Sequence, residues 1–457
     1  MVSVSSPTIK NIRPSWTGTA VHMLAGCLLT AIYSWMAVNS NLDTGMPLSV
    51  FIQSYALAAT VLAGVYVLQT YGNLEISFRM VFIWAVIFRM IAIAGSPILE
   101  DDFHRYLLDG CVFVATGSPY GIAPSTLFAG SDLSPECQAT LNWVNNPDLP
   151  TIYGPVLQYV FAFSHLVSPV NINFLQVVLA GVDLALIWML AKVAPSRHVM
   201  LYAWCPLIIK ETVFTAHPDV IGVTLLFAAF LLRSRGQSML AVAVATLACC
   251  AKVFALIALP YFLFRKGLKH WALAFVVAFL LYIPFILQGH TDMLVLGIFV
   301  KEWNFNPLVF ELLRNLFSDR DARFICLSLF VASWTYYFYR FHQKSNNSPA
   351  LMPRMDWIFG AFLVLSPVIN AWYLVWLLPF AVLRPTCVAW CASFAVVFSY
   401  VTGLNLMSAN LAAYEVYSLA YTLEILLIAT AFLYDLIYNR SGMTGGTVRL
   451  ARTQNQS

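Results

Sequence analysis

Apolar runs recur from one end of the chain to the other, and the polar stretches between them are short. Runs at residues 18–38, 48–69 and 78–94 read as membrane spans. Runs at 156–167, 174–191 and 199–209 follow. Several of these are too short to cross ~30 Å of hydrocarbon at ~1.5 Å per helical residue. Short pieces punctuated by proline predict half-helices shielded by protein, because a bilayer offers no solvent to unpaired backbone groups. Further runs lie at 220–232, 239–264, 271–287, 323–339, 357–365, 372–383, 387–406 and 416–438. The pattern predicts an all-α polytopic membrane protein, a bundle of about 11–14 transmembrane or half-membrane helices.

One polar stretch interrupts this rhythm. Residues 96–152 form the longest polar segment, and it opens with SPILEDDFHRYLLDGCVFVATGSPY. Asp101, Arg105 and Asp109 recur at i, i+4 and i+8 and share a helix face, with Asp102 beside Arg105 at i+3. Phe103, Leu107, Cys111 and Val114 line the opposite face, and Gly117 and Pro119 end the run. The expectation is an amphipathic helix lying on the bilayer, apolar side down and carboxylates in water. The bland alternative is that the acids cap a helix and favour its dipole.

Composition excludes a soluble domain: 457 residues, 60% hydrophobic, 10% charged, mean hydropathy +0.76. A net charge of only +4 argues against a nucleic-acid partner. The first apolar run lacks a small-residue cleavage site and reads as a retained anchor. The nine cysteines show no CxxC or Cys/His metal spacing. Cys111 and Cys137 are the cysteines of the 96–152 loop. Either they bridge in an oxidising compartment, or Cys111 simply belongs to the apolar stripe.

Charge orients the chain. Lys10, Arg13, Arg233, Arg235, Arg265, Lys266, Lys269, Arg384 and the clusters at 340–354 and 440–452 are placed in the cytoplasm. The acidic loop, His217-Pro218-Asp219, Lys252, the 303–306 stretch and Asn370-Ala371-Trp372-Tyr373 then fall outside. This parity needs run 239–264 to go out and back, turning near Lys252. It also needs one piece between 153 and 209 to be re-entrant. Polar motifs converging on one face predict a single outward-facing site. Plain readings exist for each: Lys210-Glu211 as an interfacial ion pair, His217 and Asp219 as a helix start, Trp372 and Tyr373 as an aromatic belt. Asn306-Pro307 reads as a turn. Lys252 stands alone among apolar residues, where a charge is costly and points to function.

Together these motifs resemble GT-C glycosyltransferases, and among them bacterial polyprenyl-phosphate-sugar-dependent mannosyltransferases. The residues that carry the resemblance are Asp101-Asp102-Phe-His-Arg105-Tyr106-Leu-Leu-Asp109-Gly110 with Gly117-Ser-Pro119-Tyr120, then Asp148-Leu-Pro-Thr-Ile-Tyr153-Gly154-Pro155. Lys210-Glu211, His217-Pro-Asp219, Lys252 and Ser366-Pro-Val-Ile-Asn370-Ala-Trp372-Tyr373 follow in the same order. Leu108 departs from the family, where relatives often carry Trp, as does the absence of a His near Asn370. The resemblance spans roughly residues 78–380. It implies a first segment at 1–77 with two added helices, a catalytic membrane core at 78–383 with its outer loop at 96–152, and a C-terminal part at 384–457.

The resemblance also implies transfer of a hexose, most simply mannose, from a polyprenyl-phosphate donor to a hydroxyl of a lipid or glycan acceptor, with inversion. The site would face the exterior of a bacterial inner membrane. Such a donor needs no nucleotide pocket, and the chain has no Rossmann fingerprint. Asp101 and Asp102 are the expected catalytic carboxylates, one acting as general base and Asp102 preferred, or the two holding a divalent metal such as Mg or Mn. Arg105, Asp109, Tyr153, Lys210, Glu211, His217, Asp219, Lys252, Asn370 and Tyr373 are the expected substrate-binding residues. Arg105 and Lys252 are candidates for the cation near the leaving phosphate. The competing readings are a transporter or flippase of a lipid-linked sugar and a non-catalytic partner subunit.

The orientation is open to test. Tags at Gly236, Gly267 and Gln343 are expected to report the cytoplasm, and tags at Gln138 and Gly289 the opposite side. The sequons beginning at Asn346 and Asn439 should then stay unglycosylated. If Gly236 and Gln138 report one compartment, the single outward-facing site is lost.

Overall fold

The long apolar runs fold as helices. Trp16–Asn39, Leu48–Tyr71, Ile172–Ala191, Leu268–Ile286 and Ser418–Tyr438 are each long and apolar enough to cross a membrane. Shorter apolar helices, Pro155–Val167, Ser238–Ala251, Met355–Leu365 and Cys387–Tyr400, fill the space between them. In this computed structural model the described residues are 16–42, 45–130, 133–345, 351–439 and 447–449. Lys10, Arg13, the sequon at Asn346 and all but 447–449 of the basic tail lie outside them. The all-α polytopic expectation holds: among the described residues the one sheet is Leu351–Pro353 paired antiparallel with Thr447–Arg449.

One core runs from Ala25 to Tyr400. Its charged centre is Arg89, which pairs with Asp183 at 2.5 Å and donates to the Ala203 carbonyl at 2.7 Å. Tyr202 holds the other Asp183 oxygen at 2.7 Å. These bonds tie Phe78–Ile93, Ile172–Ala191 and Ser196–Ala203 together, and pairing makes the buried charges tolerable.

The chain breaks at two points among its apolar segments. Ser238–Ala251 ends at Lys252, whose backbone is extended (φ −150°, ψ 135°). The following residues double back, so that Phe262 packs on Phe230 with ring centroids 4.7 Å apart. A second break falls between Pro206–Phe214 and Asp219–Ser234, which meet at 115°. Pro218 disfavours helix at His217, and Ala216 takes a left-handed φ of 59°. The freed backbone groups are satisfied: His217 N–H donates to the Glu211 carbonyl at 2.9 Å, and Gln176 donates to the Phe214 carbonyl at 2.9 Å. The basic groups gather at one end. Arg233 donates to the Leu351 carbonyl at 2.8 Å and lies over Phe341, and His342 packs on Phe264 beside Arg265.

The acidic loop corrects the bilayer-surface expectation. Its helix, Asp102–Thr116, is buried on both faces. Phe103 and Tyr106 enter the main core, whereas Leu108, Cys111 and Val112 pack on Leu133, Cys137, Leu141 and Val144 of the same loop. Gly110 permits contact with Pro155–Val167; a Cβ there would sit 2.5 Å from the Phe161 carbonyl oxygen. Phe103 and Cys111 of the apolar stripe are therefore covered by protein, while Val114 is exposed, and Asp101 and Asp102 face a cavity. Of the two readings for Cys111, the bridge is the one found: Cys111 and Cys137 form a disulfide across 26 residues.

Mass spectrometry of unreduced protein should recover the Cys111 and Cys137 peptides as one species. Cys111→Ser is expected to destabilise the loop by about 3 kcal/mol, read as earlier melting or proteolysis. Two freely alkylatable thiols would overturn the pairing.

Candidate active site

The three loop acids follow the helix Phe78–Ile93 and line a cavity of about 990 Å³. Glu100, Asp101 and Asp102 form one wall, with Arg105, Asn145 and Tyr153 beside them. Two adjacent carboxylates repel, and Asn145 offsets this: its Nδ2 donates to Asp101 Oδ1 at 2.8 Å and to Asp102 Oδ1 at 2.7 Å. Burial, then the neighbouring Asp102 charge, holds the Asp101 carboxyl above its ordinary range. Burial also raises Glu100, against the pull of Lys210. Asp102 Oδ2 accepts from the Tyr153 hydroxyl at 3.4 Å.

Arg105 does not pair with Asp101 or Asp109, as their shared helix face suggested. It donates to the carbonyls of Leu149, Asn145 and Asn146, each at 3.0 Å. It thus pins the turn that presents Asn145. Asp109 does not line the cavity. It is buried, and its Oδ2 accepts from Thr151 at 2.5 Å and from Gln158 at 2.9 Å.

Lys252 stands on the cavity wall at the break after Ser238–Ala251. Gly154 lets the re-entering chain touch that break, since a Cβ would lie 2.3 Å from the Cys250 carbonyl oxygen. Tyr153 is thereby set against Lys252, whose Nζ is 5.9 Å from that ring, 5.3 Å from Tyr373 and 5.7 Å from Phe254. Lys252 Nζ pairs with Asp219 Oδ2 at 2.6 Å, and Trp376 donates to Asp219 Oδ1 at 2.7 Å. An ammonium has three donors, so two remain for a ligand.

Behind the wall lies a second, fully buried layer. His217 stacks on Trp372 at 4.0 Å, shares a hydrogen bond between Nδ1 and the Tyr106 hydroxyl (3.0 Å), and points Nε2 at Glu211 (3.5 Å). Glu211 also accepts from Lys210 at 3.2 Å and from Tyr400 at 2.7 Å. Lys210, Glu211, His217 and Asp219 do not line the cavity; Asn370, Trp372 and Tyr373 do. The aromatic-belt reading of Trp372 and Tyr373 is corrected, because both face the protein interior and Tyr373 is buried. Phe305 brackets the segment that leads to Asn370: its N–H donates to the Pro367 carbonyl, and its carbonyl accepts from Ile369. Asn306 does turn the chain, at φ 48°, and also donates to buried Glu424.

Residues the sequence did not single out include Asn145, Trp376 and Tyr400; Tyr106 stood in the loop motif but was given no role. Asn145 sits in a polar Asn-Asn-Pro-Asp turn, where its side chain looks like turn chemistry.

The fold is that of an all-helical, multi-pass membrane protein with carboxylates and a lysine around one cavity. The chain belongs to the MptA_B family: residues 14–267 match its model, described as alpha-(1->6)-mannopyranosyltransferase, N-terminal domain. The match begins ahead of Trp16–Asn39 and takes in both early helices. A mannosyltransferase family favours the transferase over the transporter reading. No curated protein and no solved structure matches the chain.

Asp109 yields a pH test. Burial raises its carboxyl to about 6, against Arg105 and its two donors. A raised carboxyl stabilises the fold below the unfolded value of about 4, and that contribution is lost as pH rises through 6. Asp109→Asn keeps an acceptor for Thr151 and Gln158, so it should raise Tm most above pH 6, with the gain shrinking towards pH 4. A Tm gain independent of pH would contradict this role.

Proposed function

We propose that this protein transfers mannose from a polyprenyl-phosphate donor to a hydroxyl of a lipid or glycan acceptor, on the extracytoplasmic face of a bacterial inner membrane. The observation that carries the proposal is the composition of one cavity. Its Asp101/Asp102 wall is continuous with an apolar half lined by Leu256, Leu263, Trp271, Phe275, Met293 and Phe299. Phe275 is 68% exposed on the outer surface of its helix, where lipid would lie. A polyprenyl chain suits that half, and a phosphate suits the Lys252 end. A water-soluble nucleotide donor would leave the apolar half unused.

The acceptor hydroxyl attacks the anomeric carbon as the bond from that carbon to the phosphate oxygen breaks, with inversion. Asp102 takes the hydroxyl proton, its Oδ2 held towards Tyr153 and the Lys252 side of the site. Lys252 offsets charge on the departing phosphate. Arg105, Tyr153, Asn370 and Tyr373 shape the pocket around the sugar. Lys210, Glu211, His217 and Asp219 set the wall from behind, through Trp372, Tyr106 and Lys252.

A divalent cation such as Mg or Mn on the acidic wall would be held by the carboxylate oxygens of Asp101 and Asp102 that Asn145 leaves free, since both Oδ1 atoms already accept from its Nδ2 and hard cations prefer oxygen. Bound there, it would supply charge stabilisation to the phosphate.

Asp102→Asn should lower turnover about 10²–10⁴-fold in protein that still folds in detergent. Lys252→Met should raise the donor KM more than it lowers Tm. Activity should follow polyprenyl-phosphate mannose and be absent with a nucleotide sugar alone. Full transfer by both Asp101→Asn and Asp102→Asn, or transfer from a nucleotide sugar alone, would overturn the carboxylate site.

A further inference from the structure

The cavity has a carboxylate outside the Asp101/Asp102 wall that neither the motifs nor the family match assigns. Asp292 precedes the helix Met293–Glu302, is 6% exposed, and lines the cavity. Tyr282 donates to its Oδ2 at 3.2 Å. Among the described residues no side chain donates to its Oδ1. A buried carboxylate oxygen without a donor is costly, and native buried polar groups are rarely left so. The position calls for a ligand that brings an O–H or N–H.

The cavity's own chemistry narrows the choice. A phosphate would be repelled, and a polyprenyl tail brings no donor. One carboxylate with one phenol is a poor set for a hard cation, which takes six or more oxygens. A sugar hydroxyl is neutral, donates, and presents an apolar ring face to Tyr282. The position is also tied to the reacting end. Tyr120 donates to the Tyr153 carbonyl at 2.8 Å, and the next residue, Gly121, meets His290, where a Cβ would lie 2.4 Å from Cγ. A smaller pocket of about 160 Å³, walled by Gly121, His290 and Thr291, shares Pro150 and Val295 with the main cavity.

We propose that Asp292 is a sugar-binding residue of this site, its Oδ1 accepting a hydrogen bond from a hexose hydroxyl of the donor or of the acceptor. The proposal rests on the transferase reading for its substrates. The test uses the full chain in detergent, with polyprenyl-phosphate mannose, an alkyl α-1,6-dimannoside, and the single-deoxy analogues of each. In the wild type, one deoxy analogue should lose about 10- to 100-fold in kcat/KM. Asp292→Leu should lose activity with the parent sugar and erase that discrimination, and Asp292→Asn should retain part of it. A deoxy donor that shows the effect assigns the residue to the donor, and a deoxy acceptor to the acceptor.

If both variants lose activity but keep the wild-type pattern of discrimination, Asp292 only supports the fold and the proposal fails. Should Asp292→Leu not fold, Asp292→Asn carries the comparison. If the wild type transfers nothing, the transferase reading fails separately. Saturation-transfer NMR with methyl α-mannoside then judges Asp292: binding by the wild type that the variants lose supports it, and equal binding or none overturns it.

Discussion

The ion pair between Asp219 and Lys252 is the constraint on which the site depends. Each partner sits at a break in a helix, Asp219 after the 115° bend and Lys252 at the extended residue that ends Ser238–Ala251. A helix broken among apolar segments frees polar backbone groups, and a lone lysine at that depth is expensive. The 2.6 Å pair joins the two breaks, so each charge offsets the cost of the other. Gly222 makes the arrangement possible by leaving room for the Trp376 ring, which would lie 2.6 Å from a Cβ, and Trp376 then takes the second Asp219 oxygen. Without Asp219, the Lys252 ammonium would face the cavity with the rings of Tyr153, Tyr373 and Phe254 as its neighbours.

Much of this was legible in the sequence, for a definable reason. Apolar runs too short to span, interrupted by Pro218 or by Lys252, announce breaks without any knowledge of partners. Parity asked for a turn near Lys252 and for one re-entrant piece between 153 and 209; the fold has a break at Lys252 and a 115° bend between Pro206–Phe214 and Asp219–Ser234. The acids, Tyr153, Lys252, Asn370 and Tyr373 do share one cavity.

What stayed hidden depended on contacts between distant segments. Periodicity shows that Asp102–Thr116 has an apolar stripe but not what covers it. Lipid and the 133–144 segment present the same hydrophobicity to a pattern, so the bilayer-surface reading missed the protein partner. Likewise, Asp109 and Arg105 share a face with Asp101, yet the loop's re-entry supplies Thr151, Gln158 and three carbonyls that pull both away from it. His217 and Glu211 read as ligands because ionisable groups at depth suggest function. Their burial behind Trp372 gives them a structural route to the same cavity.

This layering explains how two adjacent carboxylates remain side by side in a largely apolar cavity. Asn145 is the donor that bridges them, and an amide at the tip of a loop would ordinarily wander. Arg105 prevents that by spending three donors on the carbonyls around the turn, a preorganisation that one guanidinium fork can supply and an ammonium cannot match in geometry. The Cys111–Cys137 bridge holds the loop's middle to the helix that carries Arg105. The acids therefore depend on a chain of fixed elements running from disulfide to helix, to guanidinium, to amide. The wall is thus held rigid, with Asn145 offsetting the repulsion between its two carboxylates.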